Sequence, residues 1–122
     1  MNLKKIKQLL KAEVISGDSL LDQDISFAGG SDLMSDVLAF GKPGLLLLTG
    51  LSNQQSVRTA DIIEAKAIVY VRGKKPDKEA VELAEKKNIP LLCTNFMMYE
   101  ACGILYKSGI PGVVSTAEKK TG

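Results

Sequence analysis

Leu45-Leu46-Leu47-Leu48-Thr49-Gly50-Leu51-Ser52-Asn53 decides the fold: an apolar run, then a glycine turn, then residues suited to start a helix. The succession recurs at Ala67-Ile68-Val69-Tyr70-Val71 before Arg72-Gly73-Lys74-Lys75-Pro76, and at Pro90-Leu91-Leu92-Cys93 before Thr94-Asn95. None of these runs alternates polar with apolar residues, so each predicts a strand covered on both faces, as in a parallel sheet. A helix-like stretch follows each, and consecutive strand-helix units place the intervening loops along one edge of the sheet. Folds of this kind bind their ligands at that edge.

Working outward, Leu3, Ile6, Leu9 and Leu10 have the spacing of an amphipathic helix over residues 3–11, with lysines outside. Glu13 to Ser16 reads as a short strand, Gly17-Asp18 as a turn, Ser19 to Leu21 as a brief helical turn, and Ile25 to Ala28 as a weak strand. Ser31 is a good N-cap, with Asp32 at the positive end of the helix dipole and Leu33, Met34, Val37 and Leu38 as the buried stripe. Gly41-Lys42-Pro43-Gly44 stops that helix. Ser52 or Asn53 caps the next, which runs to about Glu64 and buries Val57, Ile62 and Ile63. Pro76-Asp77 opens a helix with Ala80, Val81, Leu83 and Ala84 inside, and Asn88 ends it. Phe96 to Tyr106 is the last clear helix. Gly109 to Val114 is suited to an added edge strand or to packing on a partner, and the chain after Ser115 is expected to fray.

The chain has 122 residues, which suits one domain and is too short for two. Apolar residues at 45% and charged residues at 25% match a globular protein. A net charge of +2 with both signs intermixed argues against nucleic-acid binding, and 5% aromatic residues supply no base-stacking platform. No apolar run approaches a membrane span and no signal-peptide core follows Met1, so a cytoplasmic location is expected, with Cys93 and Cys102 as thiols. The chain contains no histidine, which removes Ser-His and Cys-His nucleophiles and imidazole metal ligands. No catalytic residue, metal site or cofactor is expected.

The strand-end turns supply the candidate ligand residues. Thr49, Ser52 and Asn53 lie where a glycine turn meets a helix N-terminus, whose free N–H groups suit a phosphate or carboxylate. The turn is no phosphate loop of the glycine-lysine-serine kind. Arg72 and Lys74 could grip an anion from the neighbouring loop, and Thr94 and Asn95 end the third run. Arg58 sits near the first turn of its helix, an unfavourable place for a cation unless a ligand or an acid such as Asp61 or Glu64 answers it. On the last helix Met97, Met98, Tyr99, Ile104, Leu105 and Tyr106 leave almost no polar side. A helix apolar nearly all round needs cover on more than one side, and a second copy of the chain is the expected cover.

The stretches Ser31 to Leu38, Leu47 to Gly50, Arg72 to Pro76, Ile89 to Leu92 and Glu100-Ala101 together resemble a DRTGG domain, over about residues 3–110. Domains of that family resemble the N-terminal, non-kinase domain of HPr kinase/phosphorylase and occur fused to paired CBS domains, phosphate acetyltransferases and dethiobiotin-synthetase-like domains. The resemblance implies a regulatory or assembly role and frequent self-association. The chain departs from the pattern at the residues that name the family. An Asp-Arg pair is missing at about Leu51-Ser52, and of the Thr-Gly-Gly triplet near Val71-Arg72-Gly73 only Gly73 is present.

The expected architecture is a single three-layer α/β/α sandwich with a mostly parallel sheet, similar to the HPr kinase N-terminal domain. A DRTGG-like domain is expected over residues 1–115 and a frayed tail over 116–122. The expected function is that of a non-catalytic regulatory or protein-interaction domain sensing a small anionic metabolite or nucleotide at the strand-end loops. The expected partners are a second copy, a protein encoded nearby and that anion. The alternative is a small enzyme acting on a phosphorylated or carboxylated metabolite through Cys93 or Asp32.

Overall fold

The computed structural model describes residues 1–113. Its elements in chain order are α1 (Leu3–Leu9), β1 (Glu13–Ser16), a 3-10 turn (Asp18–Leu20), β2 (Ala28–Gly30), α2 (Met34–Phe40), β3 (Leu46–Thr49), α3 (Gln54–Ile62), β4 (Ala67–Tyr70), α4 (Lys78–Lys87), β5 (Leu91–Cys93) and α5 (Met98–Lys107). The strands form one sheet in the order β1-β5-β4-β3-β2. Strands β2 to β5 are parallel, and β1 runs antiparallel against β5. The apolar runs are the central strands, and they bury every residue.

Both faces of the sheet are covered, which explains the lack of alternation. Leu46, Leu48, Ala67, Val69 and Leu92 pack with Leu3 and Ile6 of α1 and Ala101 and Leu105 of α5. Leu45, Leu47, Ile68, Tyr70 and Leu91 pack with Val37 of α2, Val57 of α3 and Ala80 of α4. This is an α/β/α sandwich with a mostly parallel sheet. The helix starts follow capping chemistry: Asn2, Asn53 and Asp77 each accept a first-turn N–H, at 3.0, 3.0 and 2.9 Å. Asn88 ends α4 in the left-handed conformation, at φ 58.

Several expectations fail for physical reasons. The second strand is not Ile25 to Ala28 but Ala28–Gly30. Ile25 is buried, but its N–H donates to the Met1 carbonyl, so it serves the α1 layer rather than the sheet. Helix α2 begins at Met34 with Leu33 as its cap residue, and Ser31 does not cap it. The Ser31 hydroxyl accepts the Leu33 N–H at 3.0 Å, a local turn that competes with capping. Leu33 and Leu38 are exposed while Met34 and Val37 are buried, so α2 buries a narrower stripe than its spacing implies. Ile62 is 67% exposed, and Ile63 takes the inward place. Residues 109–113 meet the edge of the sheet through a parallel bridge between Ala28 and Gly112, and the Ala28 N–H donates to Pro111 O at 3.0 Å. The fraying expected beyond Ser115 lies outside the described residues.

Two buried polar groups on α3 have opposite fates. Ser56 Oγ donates to Asn53 O at 2.8 Å and lies 2.8 Å from Tyr70 Oη, joining α3 to β4. Thr59 Oγ1 is buried with no hydrogen-bond partner among the described residues. An unmatched buried hydroxyl costs free energy, so Thr59→Val should raise stability by about 1 kcal/mol, read as a higher urea midpoint.

Candidate ligand site at the strand ends

The parallel strands end together, so the loops after β2, β3, β4 and β5 meet at one edge. Because β1 is antiparallel, its first residue, Glu13, pairs with Cys93 and also lies there. Arg72 is the residue on which the loops converge. Its N–H donates to Phe96 O at 2.7 Å, and the Gly73 N–H donates to Thr94 O at 2.9 Å. Val71 to Lys74 is a tight turn closed by Lys74 N–H to Val71 O at 3.1 Å, with Arg72 at φ 51 and Gly73 at φ 71. Positive φ at both central residues defines a type I′ turn, which favours glycine, asparagine and aspartate over arginine. Arg72 thus carries the strain of a left-handed backbone.

The Arg72 guanidinium crosses the edge and lies over Gly50. A Cβ at Gly50 would stand 2.7 Å from Arg72 Cζ and 2.8 Å from Nε, so a side chain there would displace the guanidinium. Arg72 Nη2 then meets Asp32 Oδ2 at 3.2 Å. The other carboxylate oxygen, Oδ1, accepts the Gly50 N–H at 2.6 Å and the Thr49 hydroxyl at 3.4 Å. Asp32 therefore serves the loop after β3 rather than the dipole of α2. A carboxylate of the chain itself rests in a cradle of backbone N–H, hydroxyl and guanidinium, the donor set that holds an anionic oxygen. The sequence lacks an adjacent Asp-Arg pair after β3, yet the topology brings an aspartate and an arginine together from separate loops.

The remaining candidates divide by burial. Thr49 and Thr94 are buried, and their side chains already have partners: Thr49 Oγ1 accepts the Leu51 N–H at 3.1 Å, and Thr94 Oγ1 donates to Leu10 O at 2.6 Å. These two build the loops and offer no free group to a ligand. Asn53 is engaged as the α3 cap, while the Ser52 carbonyl accepts the Asp77 N–H at 3.0 Å and so ties the loop after β3 to the start of α4. Arg58 donates to Gln54 Oε1 at 2.7 Å within α3; the ion pair with Asp61 or Glu64 is absent, and Asp61 instead meets Lys87 at 3.3 Å. Lys75 is paired with Glu13 at 3.0 Å, and that contact pushes its pKa up. Lys74 between them is exposed and makes no ion pair among the described residues. Asn95 is exposed, with its Oδ1 beside Gly73. Lys11, Thr94, Asn95 and Phe96 line a cleft of about 230 Å³.

Lys11 and Asp32 are the site residues that local pattern misplaces. Lys11 looks like one more exposed helical lysine, and Asp32 like an ordinary helix-start acid. Only the strand order, with β2 beside β3, reveals the second. Two exposed apolar residues neighbour these groups in sequence: Leu33 follows Asp32, and Met97 follows Phe96, whose carbonyl accepts the Arg72 N–H.

Cys93, at the end of β5, is buried with its thiol donating to Lys74 O at 3.0 Å. Burial pushes its pKa up, the opposite of what a nucleophilic thiolate requires. The last helix divides as well. Leu105, expected at an interface, is instead core, because its side chain points into the α1 layer. Met98 and Ile104 are partly buried against the same layer, whereas Met97, Tyr99 and Tyr106 are exposed. Among the described residues no helix is long and apolar enough to cross a membrane.

No family model matches the sequence. No curated protein matches it by sequence. In structure it is similar to the CBS and DRTGG domains of the regulatory region of Clostridium perfringens pyrophosphatase, solved with the activator diadenosine tetraphosphate, at a TM-score of 0.69 and 18% identity. The similarity covers 90% of this chain and 47% of that one, so this chain spans about half the length of its structural neighbour. At that identity the likeness is one of fold, and the chain has a DRTGG-like α/β fold.

Proposed function

We propose that this chain is a non-catalytic regulatory domain that binds a small anionic ligand, a nucleotide or a phosphorylated metabolite, at the strand-end loops. The reading rests on the cradle around Arg72, whose guanidinium meets Asp32 of the loop after β2 and whose backbone N–H donates to Phe96 O after β5, while Asp32 in turn holds the Gly50 N–H after β3. The Arg72–Asp32 pair is half-exposed, and such pairs are worth about 0–1 kcal/mol, so a stronger anion can take Arg72 from Asp32 at little cost. Lys74 and Asn95 are the free groups beside it. Exchange of Arg72 from Asp32 to the ligand would free the loop after β2 from that after β4 and give binding a mechanical readout. The structural neighbour's nucleotide activator makes nucleotides the first class to test.

The test is a thermal-shift titration with diadenosine tetraphosphate, ATP and inorganic phosphate, followed by calorimetry. A charged hydrogen bond contributes about 1.5–3 kcal/mol, so Lys74→Ala should weaken nucleotide binding by about tenfold or more. Asp32→Asn should tighten it, since the competitor for Arg72 is removed. No stabilisation by any of the three probes at millimolar concentration, or binding indifferent to both substitutions, would overturn the reading.

A further inference from the structure

The cleft of about 230 Å³ beside the Arg72 turn is lined by Leu10, Lys11, Thr94, Asn95 and Phe96. Its walls come from distant parts of the chain, the end of α1 and the loop after β5, and a buried hydroxyl joins them. Thr94 Oγ1 donates to Leu10 O at 2.6 Å and accepts the Phe96 N–H at 3.3 Å. Phe96 is fixed a second time, because its carbonyl accepts the Arg72 N–H at 2.7 Å. On the other wall α1 ends in a Schellman motif, with Lys11 left-handed at φ 50. There the Lys11 N–H donates to Gln8 O at 3.2 Å and the Ala12 N–H to Lys7 O at 2.9 Å. Both walls are therefore held by the chain's own hydrogen bonds before any ligand arrives.

The chemistry of the walls suits a flat heterocycle. Phe96 is half-buried, packed against the core while also lining the cleft, and an aromatic ring there can stack on any base. Asn95 is exposed, and its amide offers a donor and an acceptor side by side, the pattern that base edges present in complement. Pockets that enclose a whole ligand run to about 300–1,000 Å³, so this smaller cleft seats one ring system and leaves the rest outside. What adjoins it is the cationic turn. The Gly73 N–H donates to Thr94 O at 2.9 Å, and Asn95 Oδ1 lies beside Gly73, between Arg72 and Lys74 in sequence. We propose that the strand-end ligand is a nucleotide whose base stacks on Phe96 in this cleft. Asn95 reads the base edge, and Arg72 and Lys74 take the phosphates. The proposal rests on the anion-binding reading of the same loops and narrows it, since a phosphorylated metabolite without a base would leave the cleft unused.

Calorimetry with ATP and with tripolyphosphate separates the two readings, because tripolyphosphate carries the phosphate chain with neither base nor ribose. The wild type should bind ATP about tenfold or more tightly than tripolyphosphate. Phe96→Leu keeps an apolar side chain against the core, and it should remove most of that advantage while leaving tripolyphosphate binding within about twofold. Asn95→Ala, at an exposed position, should weaken ATP about fivefold and leave tripolyphosphate equally unaffected. It decides alone if Phe96→Leu unfolds, which circular dichroism would report. ATP bound no more tightly than tripolyphosphate overturns the base seat and leaves the anion site standing. So does an ATP advantage that survives either substitution. Binding of neither probe overturns both readings.

Discussion

Raising the pH from 10 to about 12 should remove about 2 kcal/mol of folding stability, and Tyr70→Phe should abolish most of that loss. Tyr70 is fully buried at the end of β4, and burial pushes its phenol up to about 12 although the hydrogen bond with Ser56 works the other way. Below pH 10.0 the phenol is protonated in both folded and unfolded chains, and its contribution is intact. Above it the unfolded chain ionises first and gains free energy that the folded chain forgoes, until the folded phenol ionises near 12. Burial also raises the Cys93 and Cys102 thiols, which add a loss of the same sign beginning at lower pH. The difference between wild type and Tyr70→Phe isolates the tyrosine. Urea denaturation across the alkaline range measures it, and parallel curves for the two proteins would show that the phenol titrates alike in folded and unfolded chains, against a rise on burial.

The second large effect is expected at Gly17. This residue follows β1 in the left-handed region at φ 86, and its position is crowded: a Cβ would stand 2.7 Å from Pro90 Cα and 2.8 Å from Pro90 Cβ. Backbone cannot yield as a flexible side chain can. Left-handed strain and forced overpacking each cost about 1–3 kcal/mol, so Gly17→Ala should destabilise by about 3 kcal/mol. Gly109 is the control, since it has φ 102 but nothing within 4 Å of an added Cβ, and Gly109→Ala should cost only the strain, about 1 kcal/mol. Equal midpoint shifts for the two variants in urea would contradict the clash. The turn matters for function because Pro90 leads directly into β5, whose end sets Thr94 and Asn95 at the strand-end loops.

The central layer of the fold was legible in the sequence because two-sided burial leaves an unmistakable unbroken apolar run. Asn53 and Asn88 were legible for a different reason: capping and left-handed termination depend on the residue and its immediate neighbours, whereas Pro76, expected in the first turn of α4, lies before the Asp77 cap. What escaped is what depends on partners far along the chain. Strand β2 ends in Gly29-Gly30, residues poor in strand propensity, and is held in place by β3 and by Met98 and Cys102 packed against Gly30. The apolar pattern therefore pointed upstream, to Ile25, which is buried by a different layer.

At the site the division is similar. The edge and its turns followed from strand order, and Arg72 and Lys74 from composition after a strand. The partners of these cations did not follow. Arg72 is answered by Asp32 forty positions away and Lys75 by Glu13 sixty-two away, so the edge carries less free positive charge than the loop reads in isolation. Thr49 and Thr94 looked available because a hydroxyl at a turn is often exposed; here both sit inside, holding the loops. On α5 the composition was apolar all round, but only the fold separates Leu105, facing the sheet, from Tyr99 and Tyr106, facing out.

The central claim is that an anionic ligand binds where the parallel strands end. Its most direct test is a backbone amide NMR titration of the full chain with diadenosine tetraphosphate. The account predicts saturable shifts concentrated at Gly50 to Asn53, Arg72 to Lys74 and Thr94 to Phe96, with a large response at Asp32 as Arg72 leaves it. The cleft of about 550 Å³ lined by Phe27, Lys42, Tyr106 and Val113 lies apart from these loops and should stay silent. Shifts confined to that cleft, or a spectrum unchanged at millimolar ligand, would contradict it.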